Sequence, residues 1–336
     1  MQIENILIRG PNWVGDSVLA IPAMKAVREH FRDAHITLLV RPWVAGLFTS
    51  APFIDRVWSE PRPSSIADWS RITRAIRDRN FDLAVLFPNS FESALMMFAG
   101  RVPMRFGYAT DGRSMLLTKA IARSESGHQV HYYLDLVKNL FKPDKDPSIE
   151  IEATAQERSD ARRLLANHGI EPRNRFLVLN PGAAYGSAKR WDELRFAETG
   201  DRFAQEFGLS VAIIGSTSEM SAAERVTAHM KSPAAILTGK TTLETLMGVL
   251  AECSLMITND SGPMHIAAAL GTPTVAVFGS TDERVTGPVG AQTRIVKTPV
   301  DCSPCLLREC PIDHRCMERV SVSDVFRVGR ELLSHG

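Results

Sequence analysis

Short apolar runs alternate with helical patterns along this chain, and the alternation occurs in two separate blocks. The first block holds apolar runs at 3–9, 36–40 and 83–87, and the second begins with a run at 176–179. Such alternation is typical of parallel sheets covered by helices, and 336 residues exceed one ordinary core. The sequence therefore predicts an α/β protein with two parallel-sheet domains facing each other across a cleft that holds the active site.

The stretch 141–152 carries prolines and charges without an apolar period, which is typical of the approach to a linker. We place an N-terminal domain at 1–170 and a C-terminal domain at 171–322. The last predicted helix lies within 323–336, and we expect it to pack back on the N-terminal domain.

Composition narrows the class of protein. The formal net charge is +1, so no global field favours nucleic acid as a partner. The N-terminus lacks the basic-then-apolar layout of a signal peptide, and no apolar run is long enough to span a bilayer. We therefore expect a cytoplasmic protein whose five cysteines are reduced unless they bind metal.

The first apolar run is followed by Gly10-Pro-Asn-Trp-Val-Gly-Asp16 and then by a helical pattern. The spacing is close to that of a phosphate-binding loop, but Asp16 stands where such a loop carries lysine. A carboxylate would repel phosphate, whereas the N-terminus of a helix stabilises it as an anion. Two interpretations remain open: Asp16 is a general base directed at a hydroxyl, or it is an ordinary N-cap.

A second motif, Thr258-Asn-Asp-Ser-Gly-Pro-Met-His265, lies between a strand-like run and an alanine-rich helix. The N–H groups and dipole at the start of a helix suit a diphosphate, and Gly262 permits close approach of the backbone. Asp260 is then a candidate partner for a sugar hydroxyl, and His265 for a phosphate oxygen. The alternative is a capped helix with a buried histidine.

The loop 180–191 contains glycines and ends in Lys189 and Arg190 before a helical pattern. Cations there would neutralise a leaving diphosphate, or they form a solvated surface pair. Three further loops, which are either parts of a nucleotide site or plain turns, end other strands: 215–219, 239–242 and 279–282. Glu219, in the first of them, is a candidate partner for a ribose.

Four cysteines have the spacing Cys302-x2-Cys305-x4-Cys310-x5-Cys316, with His314 inside it. This density in a cytoplasmic chain favours zinc or an iron–sulfur cluster, but the spacing differs from paired CxxC motifs. Reduced thiols or a local disulfide are the alternatives. Because the motif lies outside both strand–helix patterns, we expect its role to be structural.

Missing motifs argue against several enzyme classes. No GxGxxG follows the first apolar run, which argues against a dehydrogenase, and no Walker lysine supports a kinase or ATPase. No convincing Asp-x-Asp element is present, so a metal-bridged diphosphate is not expected.

Together, four motifs resemble those of the ADP-heptose:lipopolysaccharide heptosyltransferases, over nearly the whole chain. They are Pro11-Asn-Trp-Val-Gly-Asp16, Pro88-Asn-Ser-Phe-Glu-Ser-Ala94, Pro181-Gly-Ala-x-x-Gly-x-Ala-Lys-Arg-Trp191 and Thr258-Asn-Asp-Ser-Gly-x-Met-His265. The Trp-Val-Gly-Asp and Asn-Ser-Phe versions are more similar to heptosyltransferase II than to heptosyltransferase I.

The resemblance implies the GT-B architecture, with two Rossmann-like domains, and an inverting transfer of L-glycero-D-manno-heptose from ADP-heptose to the first heptose of the lipopolysaccharide inner core. Two alternatives remain open. One is a transferase of the same fold with another donor or acceptor, including heptosyltransferase I. The other is a non-catalytic nucleotide-sugar-binding protein, which would have no need of Asp16.

The resemblance also implies roles for individual residues. Asp16 is the base, Lys189 binds the donor phosphate, and Asp260, Gly262 and His265 bind the donor. The full predicted substrate-binding set is Asn12, Asn89, Ser90, Gly186, Lys189, Glu219, Thr242, Asn259, Asp260, Ser261, Gly262 and His265. We expect no metal ligand in the site and no cofactor for catalysis, because the helix start and Lys189 supply positive potential.

The implied partners are ADP-heptose and the lipopolysaccharide core on lipid A, reached by transient contact with the inner face of the inner membrane. Such acceptors carry phosphates, so cations are expected beside the base. The candidates in predicted N-terminal loops are Arg62, Arg101, Arg105, Arg113, Lys119 and Arg123. Taken singly, each could equally be a solvated surface charge.

Overall fold

The computed structural model describes residues 3–123, 127–142, 148–171 and 174–334. The chain divides into two compact units, Met1–Ile149 and Glu150–Gly336. Each unit contains one six-stranded sheet in which every pairing is parallel. The predicted α/β class with two parallel sheets is confirmed.

The first unit alternates strands and helices from its start. Its strands are β1 (Asn5–Arg9), β2 (His35–Val40), β3 (Arg56–Ser59), β4 (Leu83–Leu86), β5 (Met104–Tyr108) and β6 (Lys119–Ile121). Its helices are α1 (Val14–Leu19), α2 (Ile21–His30), α3 (Pro42–Ala45), α4 (Ile66–Asp78), α5 (Phe91–Ala99) and α6 (Gln129–Lys138). The apolar run that predicted the first strand is almost wholly buried, as expected for a strand covered on both faces.

The second unit begins with a helix. Its helices are α7 (Ala155–Ala166), α8 (Glu193–Phe207), α9 (Met220–His229), α10 (Leu243–Glu252), α11 (Gly262–Ala269), α12 (Glu283–Thr286), α13 (Arg315–Glu318) and α14 (Val322–Ser334). Its strands are β7 (Phe176–Asn180), β8 (Ser210–Ile213), β9 (Ala234–Ile236), β10 (Leu255–Asn259), β11 (Thr274–Val277) and β12 (Thr293–Val296).

Local chemistry fixes the ends of the helices. Asp192 accepts a hydrogen bond from the backbone N–H of Arg195 at the start of α8, and Gly208 ends that helix with a φ of 65°. Thr154 and Glu157 form a capping box at the start of α7. These groups set where α7 and α8 begin and where α8 ends.

Both sheets reverse strand order beside their first strand. The orders are β3-β2-β1-β4-β5-β6 and β12-β11-β10-β7-β8-β9. The reversal lies between β1 and β4 in one unit, and between β7 and β10 in the other. In open parallel sheets, ligands bind outside the carboxyl ends of the strands at this point. The loops after these four strands contain most of the predicted site residues.

The predicted domain boundary at 170 is wrong, because α7 belongs to the second unit. A Cβ on Gly248 of α10 would lie 2.1 Å from the carbonyl oxygen of Glu157, so the two helices are in close contact. Arg158 and Arg162 of α7 also pair with Glu252 of α10, at 2.8 and 2.9 Å. The boundary therefore falls at 149, inside the linker-like stretch.

The expectation for the last helix is also wrong. Val325 and Leu332 of α14 are buried in the hydrophobic core of the second unit, and Phe326 packs against Phe203 of α8. A Cβ on Gly329 would lie 2.6 Å from the Phe203 ring, so α14 and α8 pack closely. The expectation was based on sequence position alone, which gave no guide to the partner of α14.

In the part of the chain that the structure describes, no helix combines the length and apolarity needed to cross a bilayer.

Candidate active site

Asp16 lies in the first turn of α1, beyond the carboxyl end of β1. The chain leaves β1 through Gly10, where a Cβ would lie only 2.7 Å from a methyl carbon of Val40. The helix begins at Val14, and the N-cap position is held by Trp13, whose side chain makes no capping hydrogen bond. Asp16 is therefore the third residue of the helix, and the N-cap interpretation is wrong.

Tyr133 of α6 contacts Asp16 through its phenol hydroxyl. Tyr133 is buried, and burial, together with the negative charge of Asp16 and a hydrogen bond to it, raises the pKa of the phenol well above its usual range. A phenol that keeps its proton can only donate to a carboxylate. Tyr133 thus orients the Asp16 side chain and stabilises its charged form.

A pocket of about 380 Å³ opens beside the same loop. Its lining includes the predicted residues Asn12 and Ser90 and three arginines: Arg9, Arg41 and Arg62. The exposed indole rings of Trp13 and Trp43 also line it. Aromatic faces with clustered cations suit a sugar that carries negative charge.

The arginines of this pocket share it with Glu60 and Glu92, and Arg62 pairs with Glu92 at 3.4 Å. Burial, followed by the charge of Arg41, lowers the pKa of Arg9 to about 9. Burial also lowers the pKa of Arg41, and the charge of Arg62 acts in the same direction, while Glu92 opposes both shifts. An anion in the pocket would relieve this repulsion.

Two predicted residues of the first unit have structural partners. The amide of Asn89 is hydrogen-bonded to the hydroxyl of Tyr132 at 2.6 Å. Ser90 caps α5 by accepting from the N–H of Ser93 at 3.3 Å, while also lining the pocket. Their predicted contacts with substrate remain predictions.

The predicted basic rim is wrong for Arg113 and Arg105. Arg113 is fully buried and donates to the carbonyl of Tyr108 at 2.9 Å and to the hydroxyl of Ser93 at 3.0 Å. Arg105 is half-buried and donates to the carbonyl of Leu116 at 2.7 Å. Both guanidinium groups hold the fold together, whereas Arg62 does line the pocket.

In the second unit, Lys189 and Asp260 form a buried ion pair. The Nζ of Lys189 lies 2.6 Å from Oδ2 of Asp260, and the side chains are 13% and 5% exposed. Thr281, which follows β11, donates its hydroxyl to the same carboxylate oxygen at 2.6 Å. Lys189 is therefore a fixed internal cation, and the solvated-pair interpretation is wrong for it.

Asn259 is buried beneath this pair, with no exposed surface. Its Oδ1 accepts from the N–H of Trp191 at 2.9 Å, and its Nδ2 donates to the carbonyl of Pro181 at 2.8 Å. Both ends of its amide are thus used within the loops, and its predicted contact with substrate stays a prediction. It positions the Lys189 loop.

The helix α11 begins within the motif 258–265, as the predicted anion site requires. Ser261 occupies the N-cap position, but its side chain makes no hydrogen bond to the helix N–H groups. Its hydroxyl instead accepts a hydrogen bond from the side chain of Asn180, at the end of β7, at 2.7 Å. Gly262 opens the helix, and His265 is buried in the first turn. The first N–H groups of such a helix lack intrahelical partners. Donor contacts by Ser261, Gly262 and His265 remain predictions.

Three further predicted residues occupy defined places. Glu219 accepts from the N–H of Ser216 at 2.7 Å, and a Cβ on Gly182 would lie 2.1 Å from its other oxygen. Thr242 caps α10 after β9, which lies at the edge of the sheet. Gly186 lies against the backbone of Arg308. Glu219 therefore lies beside the 181–191 loop. Thr242 follows β9, which is three strands away from β10 in the sheet.

The four cysteines of the 302–316 segment are free and line one small pocket with His314. Among the residues that the structure describes, no group of three or more His, Cys, Asp or Glu side chains is arranged to hold a metal ion. The predicted alternatives, metal binding, a local disulfide and reduced thiols, stay predictions.

Sequence reasoning missed Tyr133, Arg9, Arg41 and Thr281. Tyr133 comes from a distant element that no local motif marks, whereas Thr281 lies in the loop 279–282, which the sequence marked without singling out this residue. Arg9 had a visible signal, since it is a charged residue at the end of an otherwise apolar run.

Comparison with known proteins identifies the family. The model of glycosyltransferase family 9 (heptosyltransferase) matches residues 69–315. Lipooligosaccharide heptosyltransferase 2 of Campylobacter jejuni is 30% identical over 342 residues, covering 98% of each chain. Lipopolysaccharide heptosyltransferase 2 of Salmonella typhimurium is 28% identical over 305 residues, covering 87% of each.

A solved structure supports the fold. The Escherichia coli ADP-heptose lipopolysaccharide heptosyltransferase II superposes with a TM-score of 0.85 at 24% identity, covering 99% of each chain. The predicted GT-B type of fold and the likeness to heptosyltransferase II are both confirmed. The chain therefore belongs to glycosyltransferase family 9, the heptosyltransferases, and is a glycosyltransferase.

Proposed function

We propose that this enzyme transfers L-glycero-D-manno-heptose from ADP-heptose to the first heptose of the lipopolysaccharide inner core, with inversion. The acceptor hydroxyl gives its proton to Asp16, and its oxygen bonds to the anomeric carbon of the donor. The bond from that carbon to the diphosphate breaks, and ADP leaves. A single displacement of this kind inverts the configuration and needs one base.

The observation that carries the proposal is the contact between Tyr133 and Asp16. A carboxylate held by a buried phenol, at the carboxyl end of β1, has the features of a general base. A protein that only binds a nucleotide sugar needs no such group, so a non-catalytic role is not favoured.

Lys189 and the start of α11 act on the leaving group. The ammonium and the first N–H groups of the helix are fixed before the reaction, so they stabilise the charge that develops on ADP without rearranging. On this basis the reaction needs neither a divalent metal nor a cofactor.

The acceptor occupies the first unit. The pocket between Trp13, Trp43 and the arginines lies beside the loop that carries Asp16 and suits an anionic glycan. The acceptor is anchored through lipid A, so the enzyme works in the cytoplasm with reversible contact at the inner membrane.

The test is a transfer assay with two acceptors, read by mass spectrometry. Purified enzyme and ADP-heptose are incubated with lipopolysaccharide that ends at the first heptose, and with lipopolysaccharide that lacks heptose. We expect one added heptose on the first acceptor only, with and without a chelator. Addition to the heptose-free acceptor would instead indicate heptosyltransferase I.

Asp16→Asn provides the catalytic control, because it keeps the size of the side chain and loses its basicity. The rate should fall by roughly 10²–10⁴, while ADP binding by calorimetry stays unchanged. Turnover near that of the wild type would contradict the role of Asp16.

A further inference from the structure

The segment 302–316, which we name the thiol segment, contacts the loop 181–190, which we name the donor loop. The contact involves both the backbone N–H and the backbone carbonyl of Ala188, the residue before Lys189. The N–H of Ala188 donates to the carbonyl of Arg308 at 3.0 Å. The Nε2 of His314 lies 3.0 Å from the carbonyl oxygen of Ala188, and a ring N–H donates there.

Packing brings the two segments as close as backbones allow. A Cβ on Gly186 would lie 2.1 Å from the carbonyl oxygen of Arg308. The hydroxyl of Tyr185 donates to the carbonyl of Leu306 at 2.9 Å. The Tyr185 ring also contacts two cations, with Lys189 Nζ at 5.0 Å and the Arg308 guanidinium at 5.3 Å from its centroid.

The thiol segment is anchored at its other side to the turn after β11. The N–H groups of Cys305 and Leu306 both donate to the carbonyl of Ser280, at 3.1 and 2.8 Å. The next residue, Thr281, holds the carboxylate of Asp260. One segment therefore links the neighbours of both members of the Lys189–Asp260 pair.

Two residues of the thiol segment adopt backbone conformations that side chains disfavour. Leu306 has a φ of 57° and His314 a φ of 54°, and among the described residues of the second unit they are the non-glycine residues with positive φ. These same two residues contact Tyr185 and Ala188. The unfavourable conformations thus occur where the segment meets the donor loop.

We propose that the thiol segment is a positioning element for donor binding. Through His314 and the carbonyls of Leu306 and Arg308, it holds the donor loop so that Lys189 points at the donor diphosphate. The inference rests on the proposed role of Lys189 in binding the donor. No sequence motif connects that role with the thiol segment.

The test measures ADP binding by calorimetry in the full-length protein. His314→Ala removes the donor to the Ala188 carbonyl, and His314→Gln restores a side-chain N–H in that region. Glu309→Gln, an exposed change in the same segment, is the matched control. We expect His314→Ala to weaken ADP binding by about fivefold or more, His314→Gln to recover most of the loss, and the control to match the wild type.

A double variant separates positioning from general destabilisation. If His314 acts through Lys189, then His314→Ala should change ADP affinity less than twofold when Lys189 is already alanine, because the two losses are coupled. Equal losses in both backgrounds, or wild-type affinity in His314→Ala, would overturn the inference. If Lys189→Ala itself binds ADP normally, the proposed role of Lys189 fails first, which is a separate outcome.

Thermal unfolding of each variant completes the test. Loss of ADP affinity in His314→Ala that is not restored by glutamine, and that follows a lowered Tm, would assign the segment a role in folding and contradict the proposal.

Discussion

The ammonium of Lys189 lies 2.6 Å from the carboxylate of Asp260, and both groups are largely withdrawn from solvent. A buried pair of this kind contributes little net stability when both partners are present, but either partner alone is costly. The pair keeps a cation fixed beyond the carboxyl ends of β7 and β10. In the proposed reaction, a donor diphosphate meets an ammonium that is already desolvated and oriented.

Lys189→Ala should weaken ADP binding by about 10–100-fold, since a hydrogen bond to a charged group contributes about 1.5–3 kcal/mol. Calorimetry with ADP measures the change, and Lys231→Ala, at an exposed lysine of the same unit, is the control. Unchanged affinity would show that Lys189 serves only its pair with Asp260.

Asp260→Asn should destabilise the fold by about 3–5 kcal/mol, because it leaves the ammonium of Lys189 buried without a counter-charge. Denaturant unfolding measures the loss. The double variant with Lys189→Met should lose less than the sum of the two single variants, since the uncompensated charge is gone. An additive double variant would mean that the two groups are energetically independent.

Tyr133→Phe should move the acidic limb of the pH–rate profile to higher pH. The phenol donates to the charged form of Asp16, so its removal makes that carboxylate easier to protonate. Tyr132→Phe, whose hydroxyl is bonded to Asn89, is the neighbouring control and should leave the limb in place. Identical profiles for all three proteins would remove Tyr133 from the proposed mechanism.

Arg41→Gln with Arg62→Gln should raise the acceptor KM about tenfold or more, while ADP affinity stays constant. Both side chains line the pocket beside the Asp16 loop, and each loses a charge-assisted contact with an anionic glycan. Arg74→Gln, at an exposed site on α4, is the control for the loss of an arginine outside the pocket. An unchanged acceptor KM would place the acceptor elsewhere.

The buried thiol of Cys253 should lower the free energy of unfolding as the pH rises above the pKa of an unfolded thiol. Burial raises the pKa of its thiol to about 12, whereas an unfolded thiol ionises near pH 8.5. Above that pH the unfolded chain releases a proton that the folded chain retains, so unfolding becomes easier, by up to about 1.4 kcal/mol per pH unit. Cys253→Ala should remove this slope between about pH 8.5 and 10, as measured by denaturant unfolding at each pH.

The parts of the fold and site that the sequence predicted correctly are those with local signals. Buried strands appear as apolar runs, and the loop from Gly10 to Asp16 follows one directly. In open parallel sheets, ligands bind beyond the carboxyl ends of the strands at the point where the strand order reverses, and the motifs follow β1, β4, β7 and β10. The strand orders place all four there.

The parts that could not be predicted depend on contacts between distant segments. Tyr133 reaches Asp16 from α6, and Thr281 reaches Asp260 from the turn after β11. Arg113 carries a charge typical of surfaces, yet it is fully buried because backbone carbonyls surround it. The cysteine spacing predicted a metal as one option, but it could not reveal that the same segment supports Ala188.

The position of α7 determines where this chain could be divided. A fragment that begins at residue 150 keeps the partner that covers α10, together with the ion pairs of Arg158 and Arg162 to Glu252. A fragment that begins at residue 171 exposes that face of α10 and leaves Glu252 unpaired. The second compact unit is thus longer than its sheet, and it starts with a helix that lies ahead of the first strand.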